Sequence, residues 1–113
     1  NVVFAKLINS YFYHLDTCFC PLNNEDALIF PNAFDPFCFK SIEKKLKLLV
    51  VPEKDALKFA CNAICLGNNV IIPSGCEETS DLLTKNGYSV HSLDLSEFIL
   101  AGGSAKCLSL RLD

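Results

Sequence analysis

The sequence predicts an α/β fold that is part of a ring of repeated units, and three observations carry that expectation. Half of the 113 residues are hydrophobic, far too many for a disordered chain. The apolar residues come in short segments punctuated by Gly, Pro and Asn, which suits strands and short helices. The order hairpin, helix, strand occurs twice, over residues 11–51 and 63–95, a period of roughly 45 residues. Units of this kind are incomplete alone, because each buries a face against its neighbours. The chain, which opens with "NVVFAKLI" and no Met, is therefore expected to be a fragment or one half of a larger fold.

The elements follow in order. Residues 2–8 read as a first strand. Residues 11–22, "YFYHLDTCFCPL", read as a second, rich in aromatic residues and Cys. Asn23-Asn24-Glu25-Asp26 is a turn, and residues 27–30 return as a strand, making a hairpin with a four-residue loop. Asp35-Pro36 caps and starts a helix over "PFCFKSIEKKL", because Asp accepts from free N–H groups and Pro suits the first turn. Phe39, Ile42 and Leu46 form its apolar face. The continuous run "KLLVV" suits a strand covered on both sides. Pro52-Glu53 opens a second helix, "EKDALKFACNA". "ICLG" and "NVIIP" flank a hairpin turn at Gly67-Asn68-Asn69. "GCEETSDLLTKNG" is a third helix with Gly87 as its C-cap. "YSVHSLDL" is a strand, "SEF" a short turn, and a last strand starts at Ala105 after the Gly102-Gly103 loop.

Charge and cysteine usage narrow the function classes. The net charge is −3 and the sequence pI about 5.3. The basic cluster Lys44-Lys45-Leu46-Lys47 reads as a solvated helix face, so no nucleic-acid or membrane partner is expected. No apolar run approaches the roughly 18 residues of a membrane span. Seven cysteines at irregular spacing do not read as a disulfide framework. Reduced thiols acting as small core hydrophobes fit better, and a cytoplasmic setting is expected. There is no Cys-x-x-Cys, and two His with Cys18-x-Cys20 make a poor zinc site, so neither metal nor cofactor is expected.

Two stretches carry candidate chemistry. In "YHLDTCF", His14 and Asp16 are two apart and, on a strand, face the same way. In "GGSAKCLSL", Cys107 follows a sharp loop, since a Gly pair reaches backbone angles closed to other residues. A thiol, an imidazole and a carboxylate are thus on offer. A nearby cation or His favours the thiolate, His exchanges protons near neutral pH, and a carboxylate holds a cation. Each also has a plain reading: Cys107 as a core residue, His14 as an ordinary hydrogen-bonded strand residue, and Asp16 as an acceptor of backbone bonds. His91, in "SVHSLDL", is read as structural or exposed.

Taken together and in order, "HLDTCFCPL", "ALIFPNAF", "FACNAICLG", "LDLSEF" and "AGGSAKCLSLRL" resemble the C-terminal half of the guanidino-group-modifying superfamily. Its members include dimethylarginine dimethylaminohydrolase, arginine deiminase and the amidinotransferases. The resemblance implies an α/β propeller of five ββαβ modules around a central site, the pentein fold. Residues 1–113 would be its C-terminal portion, about two and a half modules of a single domain with no internal boundary. By the same resemblance Cys107 is the nucleophile, His14 the acid/base, and Asp16 the carboxylate that hydrogen-bonds a substrate guanidinium.

The implied activity is hydrolysis of the guanidino group of arginine or a derivative through a covalent thiouronium, giving a ureido product such as citrulline. In an amidinotransferase a second amine would replace water. Further acidic residues of the family pattern would lie upstream of His14, so the isolated chain is expected to be inactive. The partners implied are a small guanidino substrate and the N-terminal half of the same propeller, with a homo-oligomer possible through exposed apolar edges. The alternative from another class is a non-catalytic propeller that serves as a binding module.

Overall fold

The computed structural model describes residues 2–112. Its frame is two copies of one unit. In the first, β1 (Phe19–Pro21) pairs antiparallel with β2 (Asp26–Ile29), and β3 (Lys47–Val50) pairs parallel with β2 after a crossover through helix α1 (Pro36–Glu43). In the second, β4 (Ile64–Leu66) pairs antiparallel with β5 (Asn69–Pro73), and β6 (Ser89–Leu93) pairs parallel with β5 after a crossover through α3 (Glu77–Lys85). A parallel pair requires such a crossover, whereas an antiparallel pair needs only a hairpin. The two sheets have the orders β1-β2-β3 and β4-β5-β6, so the twofold ββαβ repeat read from the sequence is present. The middle strands are the most deeply buried: Ala27, Leu28 and Ile29 in one, Val70 and Ile72 in the other. Both feed one continuous apolar core.

Local chemistry sets the element ends. The Asn23 side chain accepts from the Glu25 and Asp26 N–H groups, both at 2.7 Å, which shapes the first hairpin turn. Asp35 Oδ1 accepts from the N–H groups of Phe37 (3.1 Å) and Cys38 (3.3 Å), capping α1 behind Pro36. Helix α3 has no cap of its own side chains. Its cap comes from the short helical turn α2 (Glu53–Ala56), where the fully buried Asp55 Oδ2 accepts from Thr79 N (2.9 Å) and Thr79 Oγ1 (2.8 Å). At the far end Gly87 has φ +89°, and the bonds Tyr88 N–H to Leu83 O and Gly87 N–H to Thr84 O close a Schellman motif.

Two seams join the units. At one, the buried Tyr88 hydroxyl donates to Asp26 Oδ2 (2.9 Å) and accepts from Asn23 Nδ2 (2.7 Å). At the other, an aromatic cluster brings Tyr11 flat against Phe59, with ring centroids 5.0 Å apart, and sets Phe12 edge-on to both. Phe59 has φ +57°, a left-handed conformation that costs a non-glycine residue of order 1 kcal/mol. Its nearly complete burial under Tyr11 and Phe12 holds it there.

Several expectations are corrected. Residues 2–8 form no strand; Leu7 makes one isolated antiparallel bridge to Phe34. Residues 11–18 are turns, with a 3-10 turn at Leu15–Thr17, and the strand starts only at Phe19. The Thr17 N–H and hydroxyl both bond back to His14 O, a local closure that competes with strand pairing. The helix expected over "EKDALKFACNA" stops after Ala56, and Phe59 in its left-handed conformation ends any continuation. "SEF" is not merely a turn but lies in helix α4 (Ser96–Leu100). No strand follows Ala105: residues 105–108 are turns, and Leu110 and Leu112 are 83% and 91% exposed, with no strand alongside among the described residues. Strand β3 is covered on one side only, for Leu49 is buried while Val50 is half exposed.

All seven cysteines are unpaired, and Cys18, Cys20, Cys61 and Cys76 are buried. Burial pushes the thiols of Cys18, Cys20 and Cys76 up to about 12, and that of Cys61 well above its usual value. The unfolded chain therefore releases these protons first, so stability falls as pH rises from about 9 towards about 12. Denaturation midpoints at pH 8, 9.5 and 10.5 should decline in that order. Below pH 9 these four thiols should react with a disulfide reagent only on unfolding. A second prediction concerns α3: Asp55→Ala leaves Thr79 without its acceptor and should lower stability by about 2 kcal/mol, read as a shift of the urea midpoint.

Candidate functional site

The site is assembled by three short segments that meet although they are far apart in sequence. The first is residues 13–17. His14 is extended (φ −126°, ψ 152°) and leads into the 3-10 turn that carries Asp16. The two are thus not neighbours on one strand face, as the sequence pattern implied: His14 is the extended residue that precedes the turn, and Asp16 is its middle residue. The His14 side chain is exposed, and its ring lies 4.8 Å, centroid to centroid, from that of Tyr13.

The second segment is the Gly-Gly loop and the turn after it. The Tyr13 hydroxyl donates to Gly102 O. Gly102 has φ +95°, and a Cβ on it would stand 3.1 Å from the Tyr13 oxygen. A Cβ on Gly103 would stand 2.9 Å from the Cys107 Cβ and 3.4 Å from its sulfur. The pair therefore serves two separate needs: the first Gly admits Tyr13 and the left-handed turn, and the second admits the Cys107 side chain. Cys107 itself is exposed, unlike the four buried thiols.

The third segment is residues 59–62, and it holds the other two together. Asn62 is fully buried. Its Oδ1 accepts from Ser104 N (2.9 Å) and Cys107 N (3.1 Å), and its Nδ2 donates to Asp16 O (3.0 Å). Its main-chain oxygen accepts from Lys106 N (3.0 Å). As a result Cys107 Sγ comes to 3.9 Å from Asp16 Oδ2. The other oxygen, Asp16 Oδ1, is shielded from solvent and has no hydrogen-bond partner among the described residues. A carboxylate in that state is a strong acceptor for a cationic N–H donor. The sequence reading passed over Asn62. The available signal was an amide flanked by small apolar residues in "FACNAIC", since a buried polar side chain is found paired.

A cavity of about 420 Å³ adjoins the site, with Asp16, Cys20, Cys61, Cys65, Lys106 and Leu110 among the residues that line it. Cys107 and His14 are not among them. His91, read as structural or exposed, pairs its Nε2 with Asn69 Oδ1 at 3.0 Å on the exposed face of the second sheet. Among the described residues no three or more His, Cys, Asp or Glu side chains converge as metal ligands, and no helix is long and apolar enough to cross a membrane.

Comparison with known proteins places this arrangement in context. No family model matches the chain. It is 42% identical over 115 residues to a bifunctional arginine dihydrolase/ornithine cyclodeaminase of Synechocystis, a match spanning 99% of this chain and 16% of that protein. It is 32% identical over 112 residues to the N(G),N(G)-dimethylarginine dimethylaminohydrolase of Mycobacterium tuberculosis, spanning 98% of this chain and 37% of that one. The crystal structure of the N-terminal domain of a cyanobacterial arginine dihydrolase, bound to product, superposes with a TM-score of 0.90 at 42% identity, covering 95% of this chain and 40% of that one. The same figures hold for a variant of that domain covalently bound to a reaction intermediate. The chain thus spans well under half the length of these relatives. With sequence and backbone in agreement across nearly its whole length, the chain belongs to the guanidino-group-modifying superfamily of pentein fold.

Proposed function

We propose that this chain is the C-terminal catalytic portion of a cysteine-dependent hydrolase acting on the guanidino group of arginine or a derivative. The observation that carries the reading is the approach of Cys107 Sγ to the Asp16 carboxylate, one of whose oxygens is buried without a partner among the described residues. A guanidinium is a planar cation with several N–H donors. A carboxylate that accepts two of them fixes the plane, so that a sulfur beside it faces the carbon. The bound positive charge in turn favours the thiolate.

The reaction has two halves. The Cys107 thiolate adds to the guanidinium carbon, forming a C–S bond. The C–N bond to the departing amine breaks, and His14 as imidazolium gives that nitrogen its proton. The product is a covalent thiouronium. His14, now neutral, takes a proton from water, and the hydroxide adds to the same carbon. Collapse expels the thiolate and leaves the ureido group protonated, and its proton passes to solvent. Arginine would yield ammonia and citrulline. A second amine in place of water would make the protein an amidinotransferase, but the names of its relatives favour water. A purely binding role is disfavoured by the orphaned carboxylate oxygen beside an exposed thiol.

The chain would furnish about two and a half modules of a five-module ring. Its exposed apolar ends support that placement: Val2, Phe4 and Ile8 at one end and Leu108, Leu110 and Leu112 at the other are residues for neighbouring modules to cover. The remaining guanidinium-binding acids would come from that neighbouring part, so the isolated 113 residues should not turn over substrate.

In the protein that carries this segment, Cys107→Ser should lower kcat on its guanidino substrate by at least about a thousandfold, and His14→Ala by about a hundredfold or more. Asp16→Asn should raise KM about tenfold or more. Assays with arginine and its N-methylated forms, scoring citrulline, ornithine and released amine, check all three. Full activity in the Cys107→Ser protein would refute the reading, as would ordinary turnover by the isolated chain.

A further inference from the structure

A thiol and a carboxylate that act on one carbon must be held in register. We propose that Asn62 is a positioning residue that holds the Cys107 thiol against the Asp16 carboxylate; this deepens the reading above and rests on it. The Tyr13 hydroxyl also ties the first segment to the loop at Gly102 O, but it is the Asn62 side chain that bonds to the backbones of both reacting residues. The Asn62 amide donates to Asp16 O at 3.0 Å and accepts from Cys107 N at 3.1 Å, so the two backbones are fixed through a single rigid plane. The bond from Ser104 N at 2.9 Å fixes the start of the same turn, and the bond from Lys106 N to Asn62 O at 3.0 Å fixes its middle. A turn held at residues 104, 106 and 107 has little freedom to swing its thiol.

Asn62 is itself held from behind. Phe59, three residues earlier, is buried in a left-handed conformation beneath Tyr11 and Phe12. The Tyr11 hydroxyl bonds to Leu57 O at 2.6 Å. The rings that support residues 57–62 therefore come from the segment that carries His14 and Asp16. Asn62 N–H bonds to Phe59 O at 2.9 Å, which transmits that support to the amide. Two further features fit a requirement for close register rather than mere burial. Gly103 leaves only enough room for the Cys107 side chain. The buried Ser104 hydroxyl has no partner among the described residues, so Ser104 is held by its N–H bond to Asn62 rather than by its own side chain.

The test compares two alkylating agents on Cys107 in the intact protein: cationic 2-chloroacetamidine, which a carboxylate beside the sulfur attracts, and neutral iodoacetamide, which it does not. Their rate ratio reports the Asp16–Cys107 register whether or not the protein turns over guanidines, so failure of the functional reading is separable from failure of this one. Asn62→Ala should cut the ratio at least tenfold with the iodoacetamide rate changed less than threefold. In an active parent, kcat should fall with it more than KM rises. Asn62→Ser, a smaller disturbance of the core, is the second variant if the first does not fold. A ratio within twofold of the parent in the folded variant, whatever its thermal midpoint, would overturn the proposal and leave Asn62 as a structural residue only.

Discussion

The constraint on which the rest depends is the pairing of one buried amide at both its oxygen and its nitrogen. Asn62 has no access to water, so each of its polar atoms must be met by the protein or cost about 1–3 kcal/mol. They are met by two segments that lie 46 residues before it and 42 to 45 residues after it. The order of causes therefore runs from the core outward. Aromatic packing fixes residues 57–62, the amide selects where residues 16 and 104–107 settle, and the sulfur and carboxylate meet as a consequence.

The repeated ββαβ unit supplies the frame. Each unit has a hairpin edge and a crossover edge, and the seam between units is where the site lies. Neither unit alone contains it, since Asp16 enters ahead of the first sheet, Asn62 precedes the second, and Cys107 follows it. The candidate residues, drawn from the ends of different elements, are positioned by loops on a rigid scaffold, the usual division between packing and chemistry.

Much of the frame was legible because it is written locally. Asp35-Pro36 gave the start of α1, Gly87 the end of α3, and the two hairpins followed from Asn and Gly turns. The misreadings share one cause. "YFYHLDTC", the helix after Pro52 and the tail beyond Ala105 were judged on local patterning, while their conformation is decided by partners distant in sequence or by side-chain bonds such as Thr17 to His14 O. Cys107 and the Gly pair stood out by composition. Asn62 did not, because an Asn among small apolar residues looks like a turn former until its three distant bonds are seen.

The phenol at the seam has an implication for how repeated units keep their order. Tyr88 on one unit is buried against Asp26 and Asn23 of the other. Similar units could in principle dock on the wrong neighbour. A neighbour lacking that carboxylate and amide would bury the hydroxyl unmatched, a cost of about 1–3 kcal/mol. The contact thus works as a key between adjacent units, telling otherwise interchangeable repeats which one comes next.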